Sequence, residues 1–248
     1  MISLKFKNRV LHSLPVDAIA RLHLQPIGLE VRQGLEHPGK PIRFVYFIEE
    51  GLASIVSTLQ DGTQVECGLC GFESLSGLSA LTGAMLSLNR VYIQVPGHGF
   101  AVPIASALAE FNRFEQFHDL ALRAMQAQLL QTMQLAVCNA KHAVEQRLAR
   151  WLLASNDRSD PGFDSYPLEL SQEFLAVRLG AGRPAVSLAA GNLKREGIID
   201  YTRGSIYILD RTALEKRACE CYRTVKSYLE DRAAFDSGLA PRPVRRYT

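Results

Sequence analysis

The sequence predicts an α+β fold with an N-terminal antiparallel β-roll, a long dimerisation helix and a C-terminal winged helix-turn-helix. Short β-favouring runs separated by turn residues fill residues 27–103, and apolar residues recur at helical spacing over 104–136. Two short helical patterns joined by glycines then precede a hairpin pattern. The predicted divisions are 1–103 for the roll with an N-terminal helix, 104–138 for the long helix, 139–235 for the winged helix-turn-helix and 236–248 for a disordered basic tail.

The roll is predicted from the spacing of its strands and turns. An apolar stripe over 7–24, interrupted by Pro15, indicates a helix before the first strand. Asp61-Gly62 is a strong hairpin signal, and Glu50-Gly51 and Pro96-Gly97 mark further turns. Strands at this spacing, with no long helix between them, are typical of a compact antiparallel roll. The strand patterns cover 27–32, 43–48, 53–59, 64–69 and 90–95.

A continuous helix over 104–136 would be about 48 Å long at the usual rise per residue. A small roll cannot cover the apolar stripe of so long a helix, so pairing with a second copy is favoured. The alternative is a broken pair of helices packed within one chain. The heptad pattern is loose, because His118 and Thr132 fall near the seam. The predicted dimer contacts are Phe111, Phe114, Leu122, Met125, Leu129 and Met133.

The C-terminal third shows the order helix, turn, helix, hairpin. Ser171 is a suitable N-cap for the first helix, and the turn Gly180-Ala181-Gly182 ends it. The second helix begins at Arg183-Pro184 and ends at Gly197. A preceding helix is predicted at 140–155, and a wing at 198–201 and 205–209. This order is typical of a module that reads DNA, although helix pairs around a glycine turn also occur in unrelated cores.

Composition limits the class of protein. The chain has 248 residues, 47% hydrophobic and 21% charged, with a net charge of +3, as is ordinary for globular proteins. That charge allows nucleic-acid binding without indicating it. No apolar run approaches the roughly 20 residues of a membrane span. The N-terminus lacks the apolar core of a secretion signal, and five cysteines suit a reducing compartment. A cytoplasmic location without a membrane partner is therefore expected.

Patterns of catalytic sites are not found in the sequence. It has no nucleophile–base pairing, phosphate-binding glycine loop or HExxH-type ligand set. The sequence therefore predicts a binding protein and not an enzyme.

The order of these parts is shared with a known family. The chain resembles the CRP/FNR superfamily of bacterial transcription factors over nearly its whole length, with a cupin-like or cyclic-nucleotide-binding-like roll. The resemblance is carried by Asn8-Arg9-Val10-Leu11, Pro38-Gly39, Val45-Tyr46-Phe47-Ile48-Glu49-Glu50-Gly51, Asp61-Gly62, Val95-Pro96-Gly97, 175–182 and 189–199. It implies a homodimer that binds palindromic double-stranded DNA in successive major grooves, with RNA polymerase as a further candidate partner.

The resemblance also points to individual DNA contacts. Arg183 matches the arginine at the start of the family's recognition helix, where it pairs with guanine O6 and N7. A phosphate contact is the alternative role, and Ser187 is the next candidate for a base contact. Pro184 and Leu188 replace the Glu and Arg of the best-known members, so the operator sequence does not transfer. The predicted phosphate contacts are Ser171, Gln172, Lys194 and Arg203.

The roll departs from the family's cyclic-nucleotide cassette, a Gly-Glu-Leu turn followed by Arg-Ser/Thr-Ala. Ser76-Gly77-Leu78 stands in the first position without the carboxylate, and Arg90 is followed by Val91-Tyr92. Glu73 substitutes only in a shifted alignment. Binding of cyclic AMP is therefore not expected, and the effector is unidentified. The candidate effector residues are Glu73, Ser76, Gly77 and Arg90.

Two pairs of cysteines lie close in sequence. Cys67 and Cys70 form a C-x-x-C and are a candidate redox pair, the alternative being ordinary reduced cysteines. Cys219 and Cys221 are assigned to the other domain, and the N-terminal cysteine cluster of the family's Fe–S sensors is lacking. The six histidines show no ligand spacing. No metal or cofactor is predicted.

Two functions fit the sequence. The first is a sequence-specific transcriptional regulator that acts as a homodimer. The alternative is a small-ligand or redox sensor whose helix-turn-helix serves docking or dimerisation. Salt dependence separates them, because DNA binding weakens steeply as counterions are released.

Overall fold

The computed structural model describes residues 6–159, 168–169, 172–202 and 205–236. Its helices are α1 (Arg9–His12), α2 (Val16–Leu22), α3 (Leu78–Leu81), α4 (Ile104–Phe111), α5 (Gln116–Lys141), α6 (Val144–Ser159), α7 (Gln172–Leu179), α8 (Arg183–Arg195), α9 (Arg211–Arg217) and α10 (Cys221–Asp236). Its strands are β1 (Gln25–Leu29), β2 (Gly34–Glu36), β3 (Phe44–Thr58), β4 (Gln64–Cys70), β5 (Arg90–Pro103), β6 (Leu168–Glu169), β7 (Ile199–Thr202) and β8 (Ser205–Ile208). The predicted α+β fold class is confirmed.

The roll is one antiparallel sheet in the order β1-β5-β3-β4, with β2 also paired to β5. The turns predicted at Glu50-Gly51 and Pro96-Gly97 are wrong, because β3 and β5 run through both positions as long paired strands. Their register shifts at Glu50 and Leu52 instead, which bends the pair. A Cβ on Gly97 would lie 2.1 Å from the carbonyl oxygen of Glu50, so the close approach requires glycine there.

The helix predicted over 7–24 is two short helices, because Pro15 ends one pattern and starts the next. The side chain of Asn8 caps α1 by accepting hydrogen bonds from the backbone of Val10 and Leu11. Its amide nitrogen donates to the carbonyl oxygens of Ile48 and Ser74 at 3.1 and 2.8 Å. The N-terminal helices are thereby fixed to the roll.

The single long helix predicted over 104–138 is also wrong. It is broken between α4 and α5, where Phe114 has a positive φ of 57°. Two predicted dimer contacts pack inside the chain: Phe111 is buried, and Met125 contacts the same cluster, which includes Phe47 and Phe117. One face of α5 therefore packs on the roll of the same chain. In this respect the structure agrees with the alternative of a broken helix pair packed within one chain.

The C-terminal half contains α6 to α10 and a sheet in the order β6-β8-β7. Its core, with Trp151, Leu179 and Leu193 at the centre, is continuous with Leu52 and Leu69 of the roll. α9 and α10 were not predicted, and α10 packs against α5 and α6. The predicted tail lies outside the described residues beyond Asp236. None of the helices in the described ranges is long and apolar enough to cross a membrane.

Candidate nucleic-acid interface

α8 has one buried and one exposed face. Gly182 is its N-cap and Pro184 lies in its first turn, where a backbone N–H has no helical partner. The buried residues recur at helical spacing: Val186, Ala189, Ala190 and Leu193. Arg183 and Leu188 lie on the exposed side. The helix is thus anchored by one face and offers the other to a partner.

The turn before α8 has the predicted glycine geometry. Gly180 has a positive φ of 53°, and the N–H of Ala181 donates to the carbonyl oxygen of Ala176 at 3.1 Å. Such a residue ends a helix abruptly, because the left-handed conformation favours glycine. α7 and α8 therefore form a helix-turn-helix pair.

Arg183 and Ser187 share one side of α8, one turn apart. The Ser187 hydroxyl donates to the carbonyl oxygen of Arg183 at 3.0 Å, so it retains its capacity as an acceptor. The structure describes no side chain for three of the predicted phosphate contacts. Ser171 and Arg203 lie outside the described residues, and of Gln172 only the helical backbone is described.

Lys194 has a partner within the chain. Its Nζ lies 2.7 Å from Asp200 Oδ1 and donates to the Tyr201 carbonyl oxygen at 3.0 Å. The ammonium group lowers the pKa of the Asp200 carboxyl through this hydrogen bond. Lys194 thus links α8 to β7 of the wing, and a phosphate would compete with Asp200 for it. The sequence prediction did not include this acidic partner.

The candidate effector residues of the roll do not converge on one cavity. Glu73 is buried and pairs with Arg158 of α6 at 3.0 Å. It lines a cavity of about 520 Å³, whereas Arg90 lines another of about 890 Å³. The Arg90 guanidinium lies 5.1 Å from the centre of the Tyr92 ring. A ligand in either cavity would therefore meet only one of these two charged groups.

The Ser76-Gly77 turn is held by a carboxylate that the sequence analysis missed. The Gly77 N–H donates to Glu36 Oε1 and the Ser87 hydroxyl to Glu36 Oε2, both at 2.8 Å. Burial raises the pKa of the Glu36 carboxyl. The backbone N–H of Ser76 donates to the Tyr46 carbonyl oxygen at 3.0 Å. The turn's two backbone donors are thus occupied within the chain.

A buried polar network joins the roll to the C-terminal half. Glu66 of β4 accepts hydrogen bonds from Ser54 and from Trp151 Nε1, each at 2.9 Å, and lies 3.6 Å from Arg178 Nε. Arg178 of α7 also donates to Gln94 and to the Tyr92 hydroxyl, at 3.1 Å in both cases. The pKa of Glu66 is raised by burial, against the opposing effect of Arg178. This network, hereafter the Glu66 network, was not predicted.

The structure groups the cysteines differently from the prediction. Cys67 and Cys70 lie three residues apart on β4, about 10 Å in an extended strand, whereas the Cα atoms of a disulfide lie at most about 7 Å apart. Burial raises the pKa of the Cys67 thiol, which disfavours the reactive thiolate. The structure therefore does not support the proposed redox pair. Cys219 and Cys221 lie instead beside Cys138 and His142, a grouping of possible metal ligands that the spacing of the histidines did not indicate.

Comparisons with known proteins agree with the helix-turn-helix geometry. Residues 146–217 match the family described as a Crp-like helix-turn-helix domain. Over 204 residues the chain is 26% identical to a global nitrogen regulator from Synechococcus elongatus, covering 79% of this chain and 91% of that protein. A global nitrogen regulator from Synechocystis is 25% identical over 73% of this chain and 82% of its own length.

Solved structures share the fold at low sequence identity. FixK2 from Bradyrhizobium japonicum matches with a TM-score of 0.68 at 16% identity, covering 80% of this chain and 98% of that one. TTHB099, a CRP-family transcriptional regulator from Thermus thermophilus, matches with a TM-score of 0.63 at 21% identity, covering 78% and 96%. The predicted resemblance to the CRP/FNR superfamily is confirmed, and this family consists of transcription regulators and not of enzymes.

Proposed function

From the premise that the chain is a CRP/FNR-type transcription regulator with a helix-turn-helix DNA-binding domain, we propose that it binds a palindromic operator as a homodimer. The observation that carries the proposal is the exposed face of α8, on which Arg183 and Ser187 lie one turn apart above an anchored apolar face. An arginine at this position suits the O6 and N7 acceptors of guanine. The place of action is the cytoplasm, where bacterial DNA lies.

An exposed stripe on α5 supports the dimer. Leu129 and Met133 are 61% and 62% exposed, on the side of the helix away from the roll. Six exposed residues of the helix follow an alternating spacing of four and three, which is the heptad pattern of a two-helix seam. They are Leu122, Gln126, Leu129, Met133, Ala136 and Ala140, and the exposed Val137 lies beside them. This stripe includes three of the predicted contacts, and the opposite face of α5 is already used by the roll.

We also propose that cyclic AMP is not the effector. A cyclic nucleotide needs a hydroxyl acceptor and a cation with a hydroxyl group around one pocket. Here Glu73 is paired with Arg158, Arg90 lines a different cavity, and the turn at Gly77 is bonded to Glu36. RNA polymerase remains a candidate partner through the family resemblance alone.

Selection from random duplex DNA tests the proposal. The reduced protein is incubated with the library without added ligand, and bound sequences are recovered at two salt concentrations. A recovered palindrome with half-sites about one helical turn apart supports it. Recovery of no common sequence, with or without cyclic AMP, would contradict DNA readout and favour the docking alternative. Tighter binding on addition of cyclic AMP would overturn the proposal about the effector.

A further inference from the structure

Three thiols and one imidazole converge where α5 meets the start of α10. Cys138 and His142 lie one turn apart at the end of α5, and Cys219 and Cys221 lie either side of the start of α10. The four candidate ligand atoms all lie within 4.8 Å of one another. The sequence separates the two pairs by more than 70 residues, and the packing of α10 on α5 brings them together.

The distances suit one tetrahedral ion. Cys138 Sγ lies 3.5 Å from Cys219 Sγ, and Cys221 Sγ lies 3.5 Å from His142 Nδ1. With Zn–S bonds of about 2.3 Å and Zn–N bonds of about 2.0 Å, tetrahedral ligand atoms lie about 3.5–3.8 Å apart. Two of the six ligand pairs therefore have the spacing of a single tetrahedral ion, and all six lie within 4.8 Å.

The surroundings orient two of the four ligands. His142 Nε2 lies 3.2 Å from Glu220 Oε1, which leaves Nδ1 facing the thiols. A carboxylate on the far nitrogen of a histidine is the usual partner of a zinc-bound imidazole. Gln134 Nε2 lies 3.1 Å from Cys221 Sγ and donates to it, as an amide does to a thiolate. The first contact leaves Nδ1 of His142 toward the thiols, and the second holds the Cys221 sulfur in place.

Burial and charge favour coordination. Cys138, Cys219 and Cys221 are buried, and His142 is largely buried. Thiolates are the species that bind metal ions, and a buried thiolate group needs a compensating positive charge. A divalent cation would supply it.

We propose that Cys138, His142, Cys219 and Cys221 form a binding site for one Zn²⁺ ion. Three thiolates and one imidazole are a common set for a structural zinc site, and with four protein ligands no position is left for substrate. The ion ties the junction of α5 and α6, which bears His142, to the junction of α9 and α10. The proposal does not depend on DNA binding.

Metal titration of the full-length chain tests it. The protein is freed of metal under reductant and then titrated with Co²⁺, whose ligand-field absorption reports geometry and whose thiolate charge-transfer bands report sulfur ligands. We expect one Co²⁺ per chain in a tetrahedral thiolate-rich site, displaced by one equivalent of Zn²⁺. Cys219→Ser and Cys221→Ser should each lose this spectrum. Cys67→Ser, which removes a thiol outside the cluster, should keep it.

A rescue variant separates metal binding from packing. His142→Ala should weaken Co²⁺ binding at least tenfold, and His142→Cys should restore it with a spectrum shifted toward four thiolates. Failure to bind Co²⁺ stoichiometrically, an octahedral spectrum, or unchanged binding in the serine variants would overturn the proposal. So would a Cys138–Cys219 disulfide in peptides from protein isolated anaerobically under reductant.

Discussion

Two of the polar contacts that hold the C-terminal half to the rest of the chain differ in their chemistry. In the Glu66 network a buried carboxylate faces the Arg178 guanidinium, and each has further hydrogen-bond partners. In the Cys138–His142–Cys219–Cys221 cluster the polar atoms are three thiols and one imidazole. The first contact contains both charges of its ion pair. The second has ligands for a cation, so its strength depends on what is bound.

This difference predicts different responses to the medium. A buried ion pair with satisfied hydrogen bonds is a permanent contact, because breaking it strands a charge. A thiolate site responds to metal supply, to chelators and to oxidants. The DNA-binding domain is thus fixed at one side and adjustable at the other.

Removing one partner of the Glu66 network should have the largest effect. Arg178→Met removes the cation with the larger effect on the buried Glu66 carboxylate, and we expect a loss of about 3–5 kcal/mol in the free energy of unfolding. Urea unfolding of the purified protein measures it. The double variant with Glu66→Gln should recover part of the loss, because no uncompensated charge remains. A loss well below 1 kcal/mol in the single variant would show that the network is solvated.

Zinc should stabilise the folded chain by a smaller amount. At a free concentration one hundred times the dissociation constant, binding to the native state alone adds about 2.7 kcal/mol. Thermal unfolding with buffered Zn²⁺ measures this, and a chelator should reverse it. Cys219→Ser should abolish the increase, whereas Tyr92→Phe, in the Glu66 network, should keep it. An equal loss of the stabilisation by Zn²⁺ in both variants would mean that the cysteine cluster and the Glu66 network are energetically coupled.

α5 has three surfaces for contacts. One face packs on the roll, the C-terminal end carries Cys138 and His142, and the exposed stripe is free for a second copy of the chain. Met133→Lys should weaken dimerisation by about 2 kcal/mol or more, roughly 30-fold, since it places a charge in an apolar seam. Sedimentation over a range of concentrations measures it. Met85→Lys is the matched control, because Met85 is 82% exposed on the roll. An unchanged dimer in Met133→Lys would place the seam elsewhere.

The fold was predictable where local patterns decide. The glycine turn at 180–182 and the apolar spacing of α8 needed only local sequence, and both are confirmed. The break before α5 was missed because 112–115 carry no proline or glycine. The turns at Gly51 and Gly97 were misassigned because glycine marks a bulge as well as a turn.

The site was predictable only in part, since its partners come from distant elements. Glu66 and Arg178 are 112 residues apart, and each looks like an ordinary surface charge in sequence. The spacing of Cys138 and His142, four residues on a helix, was a local signal for a ligand pair. The spacing of the six histidines alone does not reveal it, and Cys219 and Cys221 join it only because α10 packs on α5.

DNA binding extends the comparison to α8, where Lys194 near the C-terminal end pairs with Asp200 and Arg183 lies at the N-terminal end on the exposed face. Arg183→Ala should flatten the preference at one base position by about 1–3 kcal/mol and leave the salt dependence nearly unchanged. Lys194 already neutralises Asp200, so Lys194→Ala should lower the salt slope by less than one per chain, against about one for a phosphate contact. Asp200→Asn is the control that frees Lys194, and it should strengthen binding at low salt. A full unit of slope lost in Lys194→Ala would show that DNA displaces Asp200 and that Lys194 serves the phosphate backbone.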